Sequence, residues 1–195
     1  MNDVIAADGD LVIRRVWDHT DDYEWLAAWR NSPHVKEWWD PDEPDVTADA
    51  VAAEFATRAG GELTASCIIE LGGEPVGFIQ FYPWDAEREY LAEIGVRLPE
   101  GSWGLDIFVG DASLIGTGTG SRTVRLLCDH LFAEGPATAV ALITEAGNAR
   151  AHAAYTRAGM RVWGEPFLDT DTRGGQRVDS ILMIRDRPGE TAGGR

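Results

Sequence analysis

Apolar residues recur along this chain with two different periods, and the period predicts the element in each segment. The clearest helical stripe consists of Val124, Leu127, Cys128, Leu131 and Phe132, which follow the spacing i, i+3, i+4, i+7, i+8. This spacing places the five side chains on one face of a helix, so we expect that face to pack against the core. Shorter patterns of the same kind predict three further helices, at 21–30, 47–59 and 148–158.

Short runs of β-branched and aromatic residues predict seven strands. They cover residues 11–17, 64–71, 76–82, 105–109, 137–144, 161–168 and 177–185. Gly72-Gly73 separates the second strand from the third and is typical of a hairpin turn. Strands and helices alternate from the fourth strand onward, which favours a mixed α/β sheet. A length of 195 residues is consistent with a single domain spanning 1–195.

Four stretches carry neither pattern. Residues 1–10 and 187–195 are mostly polar, and we expect both to be flexible. The segment 32–45 contains three prolines and the segment 83–102 is acidic, so both are expected to be irregular loops.

The chain has 33 acidic and 17 basic residues, which gives a formal net charge of −16. Such a surface repels phosphate backbones and attracts polycations, so nucleic acid is not an expected partner. No run approaches the roughly 20 apolar residues that span a bilayer, and the first ten residues lack the features of a signal peptide. We therefore expect a cytoplasmic protein without membrane contact, either a monomer or a homodimer.

The cysteines and histidines give no sign of a metal site. Cys67 and Cys128 lie within apolar runs and are expected to be buried thiols. The four histidines are not clustered at the spacing of metal ligands. No metal is expected.

A glycine-rich loop precedes the amphipathic helix, with Gly116, Gly118 and Gly120 alternating with other residues. Alternating glycines leave no Cβ in the path of an anion and permit the positive φ angles that turn successive amides inward. The following helix adds partial positive charge at its N-terminus. The loop therefore predicts a phosphate or pyrophosphate site, with a merely flexible loop as the alternative. The Gly-Lys-Ser/Thr ending of a P-loop is absent.

Asp106 is a carboxylate in the middle of an apolar strand. Alternation places Leu105, Ile107 and Val109 on one face and Asp106 with Phe108 on the other. Burying a carboxylate is costly unless it has a partner. Asp106 is therefore either part of a structural salt bridge or a site residue that holds or deprotonates an amine.

Three aromatic residues are open to two interpretations. Tyr155 lies on the apolar face of the last helix, where it is either a core tyrosine or a phenol that can protonate a leaving thiolate. Trp38 and Trp39 lie in the proline-rich segment, where large aromatic side chains either line a ligand site or pin the loop to the core.

Taken together, these features resemble the GNAT acetyltransferase superfamily. Its coenzyme A half runs strand, glycine loop, helix, strand, and then Asn-x-x-Ala-x-x-x-Tyr-x-x-x-Gly-Phe. The last motif is matched by Asn148, Ala151, Tyr155 and Gly159, with Met160 in place of the phenylalanine.

The resemblance implies acetyl-CoA as co-substrate, with its pyrophosphate on the loop amides and its pantetheine arm along the preceding strand. It implies a GNAT fold, a central mixed and mostly antiparallel sheet of about seven strands flanked by about four helices. Ile115 stands where the family usually has Arg or Gln, which removes one side chain and leaves the amides in place. The implied coenzyme-binding residues are Ile107, Phe108, Val109, Ile115, Gly116, Thr117, Gly118, Thr119, Gly120, Ser121 and Asn148.

A narrower resemblance, to aminoglycoside 6'-N-acetyltransferases, covers about residues 11–185. It is carried by the segments Tyr23-Glu24-Trp25-Leu26, Val35-Lys36-Glu37-Trp38-Trp39, Gly73-Glu74-Pro75-Val76-Gly77-Phe78-Ile79-Gln80 and Gly104-Leu105-Asp106. It implies an antibiotic-resistance enzyme with an acidic cleft for a polycationic sugar, in which Asp106 contacts the reacting amine and Tyr155 lies near the coenzyme sulfur. The implied acceptor-binding residues are Trp38, Gln80, Glu93, Asp106 and Glu145.

The implied mechanism is direct transfer in a ternary complex without an acyl-enzyme. Asp106 would hold or deprotonate the amine, and Tyr155 would protonate the thiolate. Other classes stay open. A siderophore-biosynthesis N-acyltransferase acting on a lysine-derived amine commonly has His where this chain has Asp106. A peptide N-terminal acetyltransferase would need an open groove, and a non-catalytic acyl-CoA-binding module would need neither Asp106 nor Tyr155.

Overall fold

The computed structural model describes residues 3–17, 20–39, 41–58, 64–169 and 177–189. The strands are β1 (Val4–Asp8), β2 (Leu11–Arg15), β3 (Ala65–Leu71), β4 (Glu74–Pro83), β5 (Ser102–Val109), β6 (Ala139–Glu145), β7 (Arg161–Asp169) and β8 (Val178–Asp186). The helices are α1 (Thr20–Arg30), α2 (Pro33–Lys36), α3 (Ala48–Arg58), α4 (Arg88–Glu93), α5 (Thr119–Glu134) and α6 (Ala149–Arg157). Within these residues, no helix combines the length and the apolar character needed to cross a membrane.

The strands form one sheet in the order β1-β2-β3-β4-β5-β6-β8-β7. Neighbouring strands are antiparallel except β5 and β6, which are parallel and pair only over Ser102–Gly104 and Ala139–Ala141. Beyond those residues β5 continues beside β4 as far as Val109, and β6 continues beside β8. The sheet therefore opens into a gap between the carboxyl ends of β5 and β6.

The two faces of the sheet are covered differently. On one face, α5 packs its predicted apolar stripe into the main core, where Val124, Leu127 and Cys128 are fully buried. On the other face are two smaller clusters, one formed with α1 to α3 around Phe78 and Phe108, and one with α4 around Trp84. The polar pair Gln80 and Asp106 lies on the sheet between these two clusters.

The mixed, mostly antiparallel sheet is confirmed, with eight strands and six α-helices in the described residues instead of about seven and four. The extra strand is β1, so the expectation that residues 1–10 are flexible is wrong for residues 4–8. This short segment has few large apolar residues, and its strand is held by antiparallel pairing with β2 at the edge of the sheet.

The carboxyl-terminal tail is anchored where it leaves β8. The Arg187 guanidinium donates hydrogen bonds to the carbonyls of Ala137 and Gly135, at 2.8 and 2.7 Å. The expected flexible tail therefore does not begin at 187, and residues 190–195 lie outside the described residues.

Two segments expected to be irregular contain helices. Pro33 begins α2, because the first turn of a helix does not use the backbone N–H that proline lacks. In the acidic segment, a 3-10 turn at Trp84–Glu87 leads into α4, which buries Leu91 and is followed by the buried Ile94. Both helices are too short for the apolar periodicity to reveal them.

Candidate functional site

A cleft with a volume of about 330 Å³ lies where β5 and β6 diverge. Its walls come from both of these strands, the glycine loop, α6, α2 and the end of β7. Among the residues proposed from the sequence, the cleft is lined by Trp38, Asp106, Ile107, Phe108, Val109, Ile115, Gly116, Gly118, Gly120, Ser121, Glu145, Asn148 and Tyr155. Segments far apart in the chain therefore meet at one site.

Four proposed residues are not in that lining. Gln80 lies opposite Asp106 on β4, and the hydroxyls of Thr117 and Thr119, at the junction of the loop and α5, lie 3.0 Å apart. Glu93 ends α4 with an exposed side chain outside the cleft lining.

The glycine loop has the backbone conformation expected of an anion cradle. Gly116 and Gly118 have φ values of +80° and +100°, and a Cβ at either position would point into open space. Gly118 precedes α5, a helix of 16 residues, so Gly120 and Ser121 belong to the first helical turn and not to the loop. The free amides of that turn open into the cleft, where they can bind a phosphate group.

Hydrogen-bond alternation in β5 shows which backbone groups face the gap. The Gly110 amide donates to the Val76 carbonyl on β4 at 2.8 Å. In an antiparallel pair the direction alternates with each residue, so the backbone groups of Phe108 also point to β4. Those of Ile107 and Val109 point to the open side, where a substrate's amide groups can bind them.

Asp106 accepts a hydrogen bond from β4. Gln80, directly opposite it in the strand pairing, donates from Nε2 to Oδ2 at 2.8 Å. Tyr82 lies on the same face of β4, with its ring across Gly104 of β5. Burial, and after it the negative charge of Asp106, raises the pKa of Tyr82 above its ordinary value, so this phenol keeps its proton at neutral pH.

Tyr155 lines the cleft from α6. It is partly buried on α6, which begins where the Asn148 side chain accepts a hydrogen bond from the Ala151 amide at 3.1 Å. Burial and then the negative charge of Asp106 raise the pKa of Tyr155. The phenol therefore keeps its proton at neutral pH and is available as a proton donor.

The two adjacent tryptophans have different surroundings. Trp39 packs edge-on against Phe108 and Phe78, with ring centroids 5.0 and 6.1 Å apart, and so pins the loop to the core. Trp38 and Trp39 both line the cleft. Trp39 therefore both lines the cleft and pins the loop to the core.

Sequence reasoning missed an acidic residue of the cleft. Asp169, the last residue of β7, is only 1% exposed, yet it lines the cleft and accepts a hydrogen bond from the Tyr90 hydroxyl at 2.9 Å. Nothing local in the sequence marks it, because β7 reaches the site only through its pairing with β8. Among the described residues, it joins Asp106 and Glu145 as the third carboxylate that lines this cleft.

His34 was also missed as a site residue. Its Nε2 lies 3.2 Å from the carbonyl oxygen of Val109, so Nε2 is the protonated nitrogen and donates to that oxygen. His34 thus ties α2 to the free edge of β5, and it lines the cleft beside Trp38.

Comparison with known families settles the class of protein. Residues 18–166 match the family described as acetyltransferase (GNAT) domain. The chain belongs to the GNAT acetyltransferases. As a member of this family it is an enzyme that uses acetyl-CoA as its acetyl donor, and the glycine cradle and free β5 edge fit such a co-substrate.

Individual relatives of this GNAT enzyme are named for aminoglycosides. It is 30% identical over 166 residues to aminoglycoside N(6')-acetyltransferase type 1 of Klebsiella pneumoniae. The aligned region covers 83% of this chain and 79% of the relative. The same figures hold for the enzyme of that name from Serratia marcescens. The crystal structure of aminoglycoside acetyltransferase AAC(6')-Ib with coenzyme A superposes with a TM-score of 0.75 at 26% identity, covering 91% of this chain and 95% of that one.

A further structure of AAC(6')-Ib contains both coenzyme A and kanamycin. It superposes with a TM-score of 0.73 at 27% identity and covers 91% of this chain and 95% of that one.

Proposed function

We propose that this acetyltransferase acts on a primary amine of a cationic small molecule, and that the acceptor is the 6'-amine of an aminoglycoside. The observation that carries the proposal is the set of three carboxylates, Asp106, Glu145 and Asp169, around one cleft beside the glycine cradle. Carboxylates in a partly enclosed site attract ammonium groups, and the net charge of −16 adds long-range attraction. Among cationic amines we choose an aminoglycoside, because the relatives are named for acetylating aminoglycosides at the 6' position.

Asp106 would receive the reacting amine. Its carboxylate lies on the sheet face opposite the main core, between the cluster around Phe78 and Phe108 and the cluster around Trp84. An acceptor ammonium must lose a proton before its nitrogen can attack the thioester, and Asp106 is the group placed to accept it. An ordinary aspartate is a weak base, so holding the amine in the direction of attack is the larger part of its contribution.

The donor side would contribute through backbone groups and one phenol. The amides of Gly116, Gly118, Gly120 and Ser121, which line the cleft, would hold the pyrophosphate, and an N–H of β5 that faces the gap would stabilise the negative charge that develops on the thioester oxygen. Tyr155, which keeps its proton at neutral pH, would protonate the leaving thiolate.

The acceptor is tested with a panel. The protein is incubated with acetyl-CoA and, separately, kanamycin, tobramycin, N6-hydroxylysine or a peptide, and the release of free thiol is followed. We expect release with the two aminoglycosides, and product analysis should place the acetyl group on the 6'-amine. Release with N6-hydroxylysine alone would replace the proposal with the siderophore class, and release with the peptide alone would favour a peptide acetyltransferase.

The role of Asp106 is tested with Asp106→Asn, which keeps the shape and removes the charge. We expect turnover to fall at least about tenfold while acetyl-CoA binding is unchanged. Asp129→Asn is the matched control, because Asp129 is half exposed on α5 and pairs with Arg185 outside the cleft. Equal turnover in the two variants would remove Asp106 from the mechanism.

A further inference from the structure

Two arginine side chains of α6, Arg150 and Arg157, line the same cleft as the three carboxylates. The chain has 33 acidic residues against 17 basic ones, so carboxylate partners for an arginine are plentiful. Arg185, which packs beside Gly159 just past the end of α6, has one: it pairs with Asp129 at 2.6 Å. Within the described residues, neither Arg150 nor Arg157 forms an ion pair.

The stability of α6 does not explain Arg150. This residue lies in the first helical turn, two residues after the Asn148 cap. The N-terminus of a helix carries partial positive charge, so a cation there is unfavourable for the helix. Arg157 lies in the last turn, where the same dipole favours a cation. The cation in the first turn therefore indicates a role outside the helix itself.

Arg150, Ala154 and Arg157 form one stripe along α6. Their spacing of i, i+4, i+7 places them on the same side of the helix, and all three line the cleft. A rise of about 1.5 Å per residue separates the two arginine Cα atoms by roughly 10 Å along the helix axis. The small alanine between them leaves a space that both long side chains can enter from its two ends.

This stripe adjoins the glycine cradle. The Arg125 guanidinium, one turn after Ser121 on α5, donates a hydrogen bond to the Arg157 carbonyl at 2.6 Å and so ties the two helices together. Gly118 and Gly120 line the same cleft. A ligand with one anionic group on the cradle therefore has the arginine stripe beside it, and the arginines repel a cationic acceptor.

The donor carries a second anionic group that the cradle does not account for. Besides its pyrophosphate, coenzyme A has a 3'-phosphate on the adjoining ribose, and a phosphate monoester carries roughly −1.5 to −2 charges at pH 7. Guanidinium groups bind such a phosphate through paired, charge-assisted hydrogen bonds. The chemistry of the two arginines thus fits this group.

We propose that Arg150 and Arg157 bind the 3'-phosphate of acetyl-CoA and make the enzyme select coenzyme A over donors that lack this phosphate. The backbone of the cradle would hold the pyrophosphate, and the two side chains of α6 would recognise the nucleotide end. This role concerns the donor alone and does not depend on the identity of the acceptor.

The test measures binding without an acceptor. Dissociation constants for coenzyme A and for 3'-dephospho-coenzyme A are determined by titration calorimetry with the parent enzyme, Arg150→Gln and Arg157→Gln. The parent should bind coenzyme A at least about tenfold more tightly than the dephospho form. Each variant should lose about tenfold in affinity for coenzyme A and change by less than about twofold for the dephospho form.

Arg161→Gln is the control, since it removes the same charge. Arg161 is exposed at the start of β7 and pairs with Asp186 outside the cleft lining, so this variant should keep both parent affinities. An equal loss for both ligands in the α6 variants would place the effect of the arginines on the pyrophosphate or the fold. Equal affinity of the parent for both ligands would remove the 3'-phosphate from recognition. Either result overturns the proposal, whatever the acceptor panel gives.

Discussion

The donor side and the acceptor side of this cleft are built from different materials. On the donor side the described groups are mostly backbone: the amides of Gly116, Gly118, Gly120 and Ser121, and the backbone groups of Ile107 and Val109 that face the gap. On the acceptor side they are side chains, namely Asp106, Glu145 and Asp169, contributed by three different strands. A backbone site recognises a constant ligand such as a pyrophosphate, while a side-chain site can change its acceptor by substitution without loss of the donor.

The largest effect is expected where the two sides meet, at Tyr155. Tyr155→Phe removes the proton donor and keeps the ring, so kcat should fall about 100-fold with little change in either KM. Because burial and Asp106 raise the pKa of Tyr155, the parent enzyme should show no alkaline loss of kcat from this group up to about pH 10, the ordinary tyrosine value. Rate measurements across pH 7 to about 10 on both proteins check this expectation, and an equal kcat for the two would leave proton donation to another group.

A substitution in the backbone site should affect the donor alone. Gly118→Ala places a Cβ in the cradle on a residue with φ of +100°, and we expect the KM for acetyl-CoA to rise about tenfold while the KM for the amine stays constant. Gly72→Ala is the matched control, since Gly72 has φ of +63° in the turn between β3 and β4, away from the cleft. It should lose similar stability and keep the parent KM; a parallel rise in both variants would mean that the KM reports folding.

A smaller effect is expected at His34, which joins the sides by donating from Nε2 to the Val109 carbonyl. His34→Ala removes one hydrogen bond worth about 1 kcal/mol, which corresponds to about a fivefold loss of kcat/KM. His34→Gln places an N–H donor near the same point and should restore most of the loss. Failure of Gln to restore kcat/KM would argue that the imidazole acts in another way.

A thiol reagent is expected to have no effect on Cys67 and Cys128, the two buried cysteines of the main core. Burial raises the pKa of Cys67 and of Cys128 to about 12, which suppresses the reactive thiolate at neutral pH. The folded enzyme should therefore not react with a thiol reagent at pH 8 and should expose two thiols in urea. Reaction in the folded state would contradict this burial and would also disturb any assay that counts free coenzyme A thiol.

The same contrast decides how much of the site the sequence could predict. The glycine loop, Asn148 and Tyr155 follow from local patterns, because each depends on neighbours within one turn or one helix. The structure brings them together in one cleft, and their roles there stay predictions. The buried stripe of α5 was predictable for the same reason.

The acceptor side depends on strand pairing, which no local pattern records. Asp169 reaches the cleft only because β7 pairs with β8 at the end of the sheet, and Gln80 meets Asp106 only through the register of β4 and β5. Glu93 was proposed from the resemblance, and α4 turns it to the surface outside the cleft lining. The helices α2 and α4 escaped prediction because a proline and a run of acidic residues hid short elements that tertiary packing stabilises.

Only three residue pairs join β5 to β6 across the centre of the sheet. The sheet therefore has two halves, β1 to β5 on one side and β6 to β8 on the other, held together mainly by these three pairs. A ligand that lies in the gap between β5 and β6 would contact both halves. Acetyl-CoA would thus act as a structural clamp as well as a reagent. By mass action, bound acetyl-CoA would then raise the free energy of unfolding of the enzyme and with it the resistance to heat and proteolysis.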